Sequence, residues 1–358
     1  MCGYRLLIAS VLAGLVLIAP TSRGAKVDVS ASDGFDPAFA DKPQHRDLLA
    51  SFAVRPPWRV AGVDYAVGRP QGIKLKKPDL GNLPAGVELR TDSIHVLGRD
   101  VRLDGFDLSG LTVMIEDSAA GVVKISNCEA ENGVVIRSTV DAKAHLVVDR
   151  CTLDGGGMRA DPNYQTIKVW CPLTVLHTWI KNSPGGIQSG AALVAKYNLL
   201  EGFAWSPGAH ANAIYVRGTH ARGDQTRIAY NVVYSQSTRN AQGFPVGIGA
   251  AIAFFGDGGD FYDSVVSHNV LVSALPGAAS YLIGFYVEAG ASATGGVIAD
   301  NYFASANGFS RRNSGAFGLI YPGSHGRVEA RVTSNVDMNA PGRPRARDTV
   351  FDRGRSRR

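Results

Sequence analysis

An asparagine returns in the same apolar frame along most of this chain, and that repeat limits what the chain can fold into. Examples of the frame are VAKYNLL, RIAYNVV and VIADNYF. Self-similarity at a period of a few tens of residues predicts a solenoid, in which each repeat buries its apolar face against its neighbours. Aligned on the apolar residue that follows, the polar column has eight members, spaced 20 to 38 residues apart: Asn127, Arg150, Thr178, Asn198, Asn231, Asn269, Asn301 and Asn335.

Each repeat has the size of one coil of a parallel β-helix. A coil of about 20–25 residues has room for three short strands and three bends, so the sequence predicts an all-β protein. Asn tolerates left-handed backbone, and its amide can bond the Asn of the next coil, which predicts an inward, structural Asn ladder. After Asn198 the coils lengthen through Gly-, Ser- and Pro-rich stretches. Long loops are therefore expected in the C-terminal coils.

The N-terminus indicates export. An apolar run from Leu6 to Ile18 follows Arg5 and is too short to span a bilayer comfortably, which favours a signal peptide, with an uncleaved anchor as the alternative. We therefore expect a secreted or periplasmic protein with no transmembrane segment after cleavage. The predicted organisation is a signal peptide at 1–25, an extended lead-in and N-terminal cap at 26–90, the parallel β-helix at 91–338, and a disordered Arg-rich tail at 339–358.

The net charge of +6 is concentrated at the two ends of the chain. Residues 342–358 contain seven Arg and two Asp, residues 1–25 contain two Arg, and the body between them is close to neutral. A nucleic-acid partner is therefore not expected, because the solenoid itself has no basic excess. The tail is predicted to be a solvated end, with adhesion to anionic envelope polymers as the alternative.

Three cysteines follow the predicted signal peptide: Cys128, Cys151 and Cys171. An odd and sparse set does not predict a disulfide framework, even in an exported protein. Cys128 and Cys151 follow the polar column in consecutive repeats, so they are expected to stack about 4.8 Å apart. The sequence predicts a buried pair of small apolar residues, with a disulfide as the alternative.

A second alignment finds a strand on another face of the helix, in MIEDS, VIRST, TIKVW, GIQSG, AIYVRG and AIAFFG. If the Ile residues point inward, period-two alternation predicts two outward rows. Aromatic side chains in them suit stacking against sugar rings, whereas a merely solvated polar face is the alternative. The first predicted row is Glu116, Arg137, Lys168, Gln188, Tyr215 and Ala253. The second is Ser118, Thr139, Trp170, Gly190, Arg217 and Phe255.

With this frame, residues 90 to 338 resemble the secreted right-handed parallel β-helix superfamily, the pectate-lyase-like group of polysaccharide lyases, glycoside hydrolases and epimerases. The resemblance implies a right-handed coil, which also follows the rule for parallel crossovers. The Trp-Ile-Asp-His type signature of pectate lyases and the Asn-x-Asp, Asp-Asp and Gly-His-Gly set of polygalacturonases are missing. The segment GAHANAIYVRG is similar to a Gly-x-His-x-Asp-x-Ile segment of some β-helix proteins, with Asn212 in place of the acid.

The outward rows offer groups for β-elimination on a polyuronide. This reaction requires a group that neutralises the C6 carboxylate, a base for the C5 proton and an acid for the leaving oxygen. The predicted neutralising group is Arg217 or Arg137, the base is His210 or Lys168, and the proton donor is Tyr215. Lys168 would need a pKa lowered by a neighbouring Arg.

The remaining predicted site residues would bind substrate or metal. Asp257 and Asp260 could bind Ca2+ or supply the two carboxylates that hydrolysis requires, with a plain Gly-rich turn as the alternative. Three functions stay open: an exported polysaccharide lyase or related uronan-modifying enzyme, a non-catalytic protein that binds glycans or the cell envelope, and a purely structural surface protein. The residues predicted to contact an acidic polysaccharide are Trp170, Gln188, Asn212, Phe255 and Glu116.

Overall fold

The structure of this protein, a computed structural model, is all-β: its described part consists of strands, turns and extended segments, with no helix. Nearly all of these strands belong to three sheets, here called A, B and C. The residues described are 42–157, 164–203, 211–218, 225–235, 238–239, 245–246, 248–256, 259–274, 279–305, 320–321, 326–339 and 349–353.

Sheet A contains Val87–Arg90, Ser93–Val96, Thr112–Ile115, Val135–Ser138, Ile167–Val169, Ile187–Ser189, Asn212–Arg217, Ile248–Gly256, Ala279–Val287 and Ile320–Tyr321. Sheet B contains Arg102–Asp104, Val122–Ser126, His145–Asp149, Leu173–Leu176, Leu193–Lys196, Arg227–Ala229, Phe261–Tyr262, Val265–Ser267, Ser292–Ala299, Arg327–Thr333 and Thr349–Arg353. Sheet C contains Glu129–Ala130, Thr152–Asp154, Trp179–Lys181, Leu199–Glu201, Val232–Ser235, Val270–Ser273, Tyr302–Ser305 and Val336–Asp337. A separate hairpin joins Thr238–Arg239 to Pro245–Val246.

The chain visits sheets A, B and C in turn, and nearly every strand pairs in parallel with the strand one coil later. This order is compatible with the predicted parallel β-helix, while its handedness stays a prediction. Antiparallel pairs lie at the two ends. Val87–Arg90 pairs with Ser93–Val96 at the start of sheet A. Thr349–Arg353 pairs with Arg327–Thr333 at the end of sheet B, so the segment predicted to be disordered includes a strand.

The predicted Asn ladder is present in the later coils. In each step an Asn Nδ2 donates to the Oδ1 of the next Asn, at 2.8 to 3.0 Å. The same nitrogens donate to backbone carbonyls inside the coil. Burial without such partners would be costly, so the closed chain of bonds explains why amides occupy an inward position. The ladder consists of Asn198, Asn231, Asn269, Asn301 and Asn335.

The first members of the column differ from the prediction. Sheet C pairs Glu129 with Thr152 and Thr152 with Trp179, so the residues before these strands stand in one column. That column begins with Cys128, Cys151 and Thr178. The alignment that put Asn127 and Arg150 in it was one residue out of register.

The left-handed residue is the one before the ladder position. Asn127 and Arg150 have φ values of 55° and 54°, and Tyr197, which precedes Asn198, has a φ of 58°. The amide of Asn127 therefore bonds Asp104, at 2.8 Å, and takes no part in the ladder. The prediction that the ladder Asn itself takes the left-handed conformation was wrong.

Cys128, Cys151 and Cys171 are free, buried thiols. Burial raises the pKa of Cys151 well above its ordinary value, so this thiol stays protonated. The predicted buried pair is confirmed, and it acts as a small apolar continuation of the ladder column.

The core between the sheets is built from stacked aliphatic side chains. In sheet A, register pairs Ile136 with Ile167, Ile167 with Ile187, and Ile187 with Ile214. All four are 0% exposed. Full burial of one such side chain stabilises the fold by about 1.5–3 kcal/mol, and the stack fixes which side chains point outward.

The N-terminal segment 42–76, here called the strap, runs along the outer face of sheet C from the last coil towards the first. Val54 N donates to Met338 O, Gly68 N to His177 O and Lys76 N to Gly105 O. The strap and sheet C share a second apolar core, made of Leu49, Val60, Ala61, Val63, Tyr65, Val67, Leu199, Val232, Val270, Val272, Ala304 and Met338.

Two contacts show how closely the strap is seated. Gly62 has a φ of 70°, and a Cβ there would lie 2.8 Å from Leu199 Cδ2, so the close approach requires glycine. His45 Nε2 lies 2.5 Å from Glu201 Oε2, and Trp179 Nε1 donates to the other oxygen of Glu201 at 2.6 Å. The hydrogen bond to Glu201 raises the pKa of His45, although burial acts in the opposite direction.

Candidate functional site

The outer face of sheet A carries the first predicted row in register. Arg137 pairs with Lys168, Lys168 with Gln188, and Gln188 with Tyr215. Tyr215 pairs with Ala253 in the next coil. Adjacent strands are about 4.8 Å apart, so two cations, an amide and a phenol follow one another along this face.

Glu116 does not belong to that row. Sheet A pairs Val113 with Ile136 and Met114 with Arg137, so Met114 takes the position predicted for Glu116. Two positions further along the strand, Glu116 falls in the second row, beside Thr139. The alignment of MIEDS with VIRST was shifted by two residues, which also removes Ser118 from the second row.

The second row is centred on Trp170. Its indole ring lies against the backbone of Gly190, because a Cβ at Gly190 would be 2.1 Å from Trp170 Cε3. The guanidinium carbon of Arg217 lies 5.6 Å from the centroid of the same ring, within the range of a cation–π contact. Trp170 N also donates to Ser138 Oγ at 2.8 Å. Glycine thus provides the room in which the indole lies along the sheet.

An aromatic cluster continues this surface into the later coils. Tyr215 packs edge-on against Phe255 at 4.8 Å between centroids, and Phe255 stacks on Tyr286 at 4.5 Å. Tyr281 lies 5.4 Å from Tyr286. Tyr281 and Tyr286 were not among the predicted site residues, although YLIGFYV repeats the pattern of AAIAFFG one coil earlier. Tyr281 is 5% exposed, whereas the rings of Tyr215, Phe255 and Tyr286 are partly exposed and suited to stacking against a sugar chain.

Two predicted binding residues are covered. Gln188 is 4% exposed and Asn212 is 1% exposed. Asn212 Oδ1 accepts a hydrogen bond from Ala250 N at 2.9 Å, which ties two neighbouring strands together. His210 lies outside the described residues.

Asp260 is held by hydrogen bonds to a neighbouring tyrosine and to the next strand of sheet B. Its Oδ1 accepts hydrogen bonds from Ser292 N at 2.6 Å and Ser292 Oγ at 2.9 Å, and its Oδ2 accepts one from Tyr262 Oη at 2.9 Å. Asp257 lies outside the described residues. Within the part of the chain that the structure describes, no group of three or more His, Cys, Asp and Glu side chains could hold a metal ion. The Ca2+ site stays a prediction.

A separate charged cluster lies on sheet B. Asp149 is within 3.2 Å of Lys124 Nζ and Arg150 Nη2, and within 3.5 Å of His177 Nδ1. Burial alone would raise the pKa of Asp149, but its bond to His177 and the two cations lower it to about 2. These charges compensate one another, so the cluster serves the fold rather than a ligand.

A pocket of about 250 Å³ lies between the strap and sheet C. Arg69 Nε donates to Glu129 at 2.6 Å, and Arg69 N donates to Thr152 Oγ1 at 3.0 Å. Lys181 Nζ lies 4.5 Å from the Trp179 ring. The polar groups around this pocket mostly bond one another. We therefore interpret the pocket as a gap in the contact between the strap and sheet C. The outer face of sheet A remains the candidate site.

No family model, no curated protein and no solved structure matches the chain. Within its described residues, the structure contains no helix with the length and apolarity to cross a membrane.

Proposed function

We propose that the protein is an exported, secreted or periplasmic, carbohydrate-active β-helix protein that cleaves an acidic polysaccharide by β-elimination on the outer face of sheet A. The observation that carries the proposal is the register of Arg137, Lys168, Gln188 and Tyr215 in four consecutive strands, beside Trp170 in the adjacent row. Cations suit a carboxylated sugar, and aromatic rings suit the faces of sugar rings.

The row supplies the three groups that elimination requires. Arg137 neutralises the C6 carboxylate, which makes the C5 proton more acidic. Lys168 removes that proton through Nζ, a role that requires its neutral form. As the C4–C5 double bond forms, the C4–O bond breaks and Tyr215 donates its phenolic proton to the leaving oxygen. Arg217 and His210 stay the alternatives for the first two roles.

The aromatic groups hold the polymer in place. Trp170, lying along Gly190, offers a ring near Lys168, since they are two residues apart on one strand. The cluster of Tyr215, Phe255 and Tyr286 extends the contact surface over two further coils. A chain bound along this face would cross several strands, so Trp170, Phe255 and Tyr286 contribute to binding without a part in the proton transfers.

The test is incubation of the purified protein with alginate, pectate and glycosaminoglycans while the ultraviolet absorbance of unsaturated ends is recorded. Lys168→Met is expected to lower the rate by about 10²-fold or more, because it removes the base. Lys181→Met, a matched change on sheet C, is expected to leave the rate unchanged. Product formation by Lys168→Met at the wild-type rate would contradict the mechanism.

The aromatic cluster also favours a second candidate, a non-catalytic glycan-binding protein. This function needs the aromatic and cationic surface but no base. No unsaturated product from the wild type, together with glycan binding that is lost in Trp170→Ala, would support it over the lyase. Gly190→Ala is a finer probe. Its methyl carbon would lie 2.1 Å from Trp170 Cε3, so the indole would have to move. Glycan binding should therefore weaken although Trp170 is still present.

A further inference from the structure

Three side chains at the N-terminal end of sheet A form a continuous chain of hydrogen bonds. Ser93 Oγ lies 3.0 Å from His95 Nε2. His95 Nδ1 lies 2.5 Å from Glu116 Oε1. A hydroxyl, an imidazole and a carboxylate thus follow one another in the order found in serine hydrolases.

Local structure holds these groups together. Ser93 and His95 alternate with Ile94 and Val96, which are 0% exposed, so both polar side chains point outward. Glu116 lies one strand further on, and its backbone N–H donates to Val96 O at 3.0 Å. The strand pair therefore positions all three residues.

The contacts define the proton positions. Glu116, as a carboxylate, can only accept, so His95 Nδ1 carries the hydrogen in this bond. A neutral ring with this hydrogen has a lone pair on Nε2, which can accept the hydroxyl hydrogen of Ser93. This is the tautomer that a general base needs. The side chain of His95 is 13% exposed, so its orientation is set by protein contacts.

A cationic residue is paired in register with Ser93. Arg90 is the register partner of Ser93 across the hairpin, and paired residues in an antiparallel ladder present side chains on one face. Glu88, the partner of His95, lies 3.1 Å from Arg90. A guanidinium in this position can stabilise negative charge that develops on a carbonyl oxygen next to Ser93.

We infer that Ser93, His95 and Glu116 form a serine esterase site for small acyl esters, such as O-acetyl groups carried by a polysaccharide. Ser93 Oγ attacks the ester carbonyl as its proton passes to His95 Nε2. The bond from the carbonyl carbon to the alcohol oxygen breaks, and His95 protonates that oxygen. Water, deprotonated by His95, then attacks the acyl-serine and releases the carboxylic acid and free Ser93.

The position of the site suggests the carrier of the ester. His95 is in register with Met114, and Met114 with Arg137, so the esterase site lies on the same face, two strands before the row proposed to bind acidic polysaccharide. At about 4.8 Å per strand, one polymer could lie across both. The polysaccharide carrier rests on the proposed function, whereas the ester chemistry does not.

The test uses the whole protein, p-nitrophenyl acetate and a fluorophosphonate probe, with the labelled peptide identified by mass spectrometry. The probe is expected to modify Ser93. Ser93→Ala should abolish labelling and hydrolysis, and Glu116→Gln should lower hydrolysis by about 10²-fold or more, because the imidazolium that forms loses its anionic partner. Ser118→Ala, at an exposed serine, is the control and should behave as wild type.

A wild-type protein that is not labelled at Ser93, or hydrolysis that is unchanged in folded Ser93→Ala, would overturn the inference. Circular dichroism and the melting temperature establish that the variants are folded. Lys168→Met should keep ester hydrolysis while it loses any eliminase activity. Failure of the lyase proposal and failure of the esterase inference are therefore separate outcomes.

Discussion

Replacement of Asn231 by alanine tests the energetic role of the ladder. Asn231 is 0% exposed, and its Nδ2 donates to Ala195 O at 2.8 Å and to Asn269 Oδ1 at 3.0 Å. Its Oδ1 accepts from Asn198 Nδ2 at 2.8 Å and from Asn198 N at 3.2 Å. Asn231→Ala removes all four contacts from a site that the coils above and below enclose.

The cost follows from the groups that lose these contacts. Asn198 Nδ2 keeps a second acceptor, Val175 O at 2.9 Å. The Ala195 carbonyl and the Asn198 backbone N–H lose the bonds that Asn231 gives them. Each buried polar group left unsatisfied costs about 1–3 kcal/mol, so the free energy of unfolding should fall by about 2–6 kcal/mol.

Urea unfolding followed by circular dichroism measures this change. Asn231→Thr should cost less than Asn231→Ala, because Thr178 already occupies the same column and donates its hydroxyl to Leu176 O at 2.9 Å. Asn182→Gly is the control: it removes a surface amide bonded to Asp154 and keeps the left-handed backbone, with φ 49°. If Asn231→Ala unfolds within about 0.5 kcal/mol of wild type, the ladder is not a stabilising element.

Two ionisable contacts should make the stability of the protein depend on pH. The folded pKa of Asp149 is about 2 against 3.8 unfolded, so its contribution of roughly 2 kcal/mol is present above pH 3.8 and is lost as the pH falls towards 2. Asp149→Asn should remove that step from melting temperatures recorded between pH 2 and 7. The pKa of His45 is raised by Glu201, so its contribution is complete below about pH 6.5 and is lost as the pH rises. The stability difference between wild type and His45→Gln should therefore shrink with rising pH, and a constant difference would argue against an ionic tie.

The ladder could be predicted from the sequence because Asn has few reasons to recur inside an apolar frame. Its five C-terminal members were placed correctly. Asn127 was aligned with the ladder residues because it is also an Asn. In the structure the inward position belongs to Cys128. Residue type alone could not separate the ladder from the left-handed position beside it, since Asn is favoured at both.

The error at Glu116 has a different cause. Side chains alternate with a period of two, so a two-residue shift leaves every residue on its predicted face and violates no hydrophobic pattern. Pairing alone shows that Met114, not Glu116, adjoins Arg137. The contact between Glu116 and His95 depends on the pairing of Ser93–Val96 with Thr112–Ile115, and Ser93–Val96 lies before the segments that the repeat alignment joined.

The strap lies in the segment predicted to be an extended lead-in and cap, but its docking on sheet C was not predicted, because its partners are distant in sequence. Its apolar residues show no coil period, and what they cover becomes visible only when sheet C is assembled. Tyr65 and Val67, for example, bury themselves beside Leu199 and Val232. The repeating sequence pattern predicts the coils. The packing of the strap depends instead on the order in which the coils stack.

The strap has a consequence for the order of folding. A stack of coils in contact with their neighbours can form one coil at a time and melt the same way. The strap precedes the coils in the chain, and its bond from Val54 to Met338 requires the coil that contains Met338. The part of the strap around Val54 can therefore dock only after that coil has formed, whereas Gly68 and Lys76 bond to earlier coils. Once docked, it connects early and late coils directly, so a protein built from repeats should unfold in a more cooperative transition than its repeats alone would give.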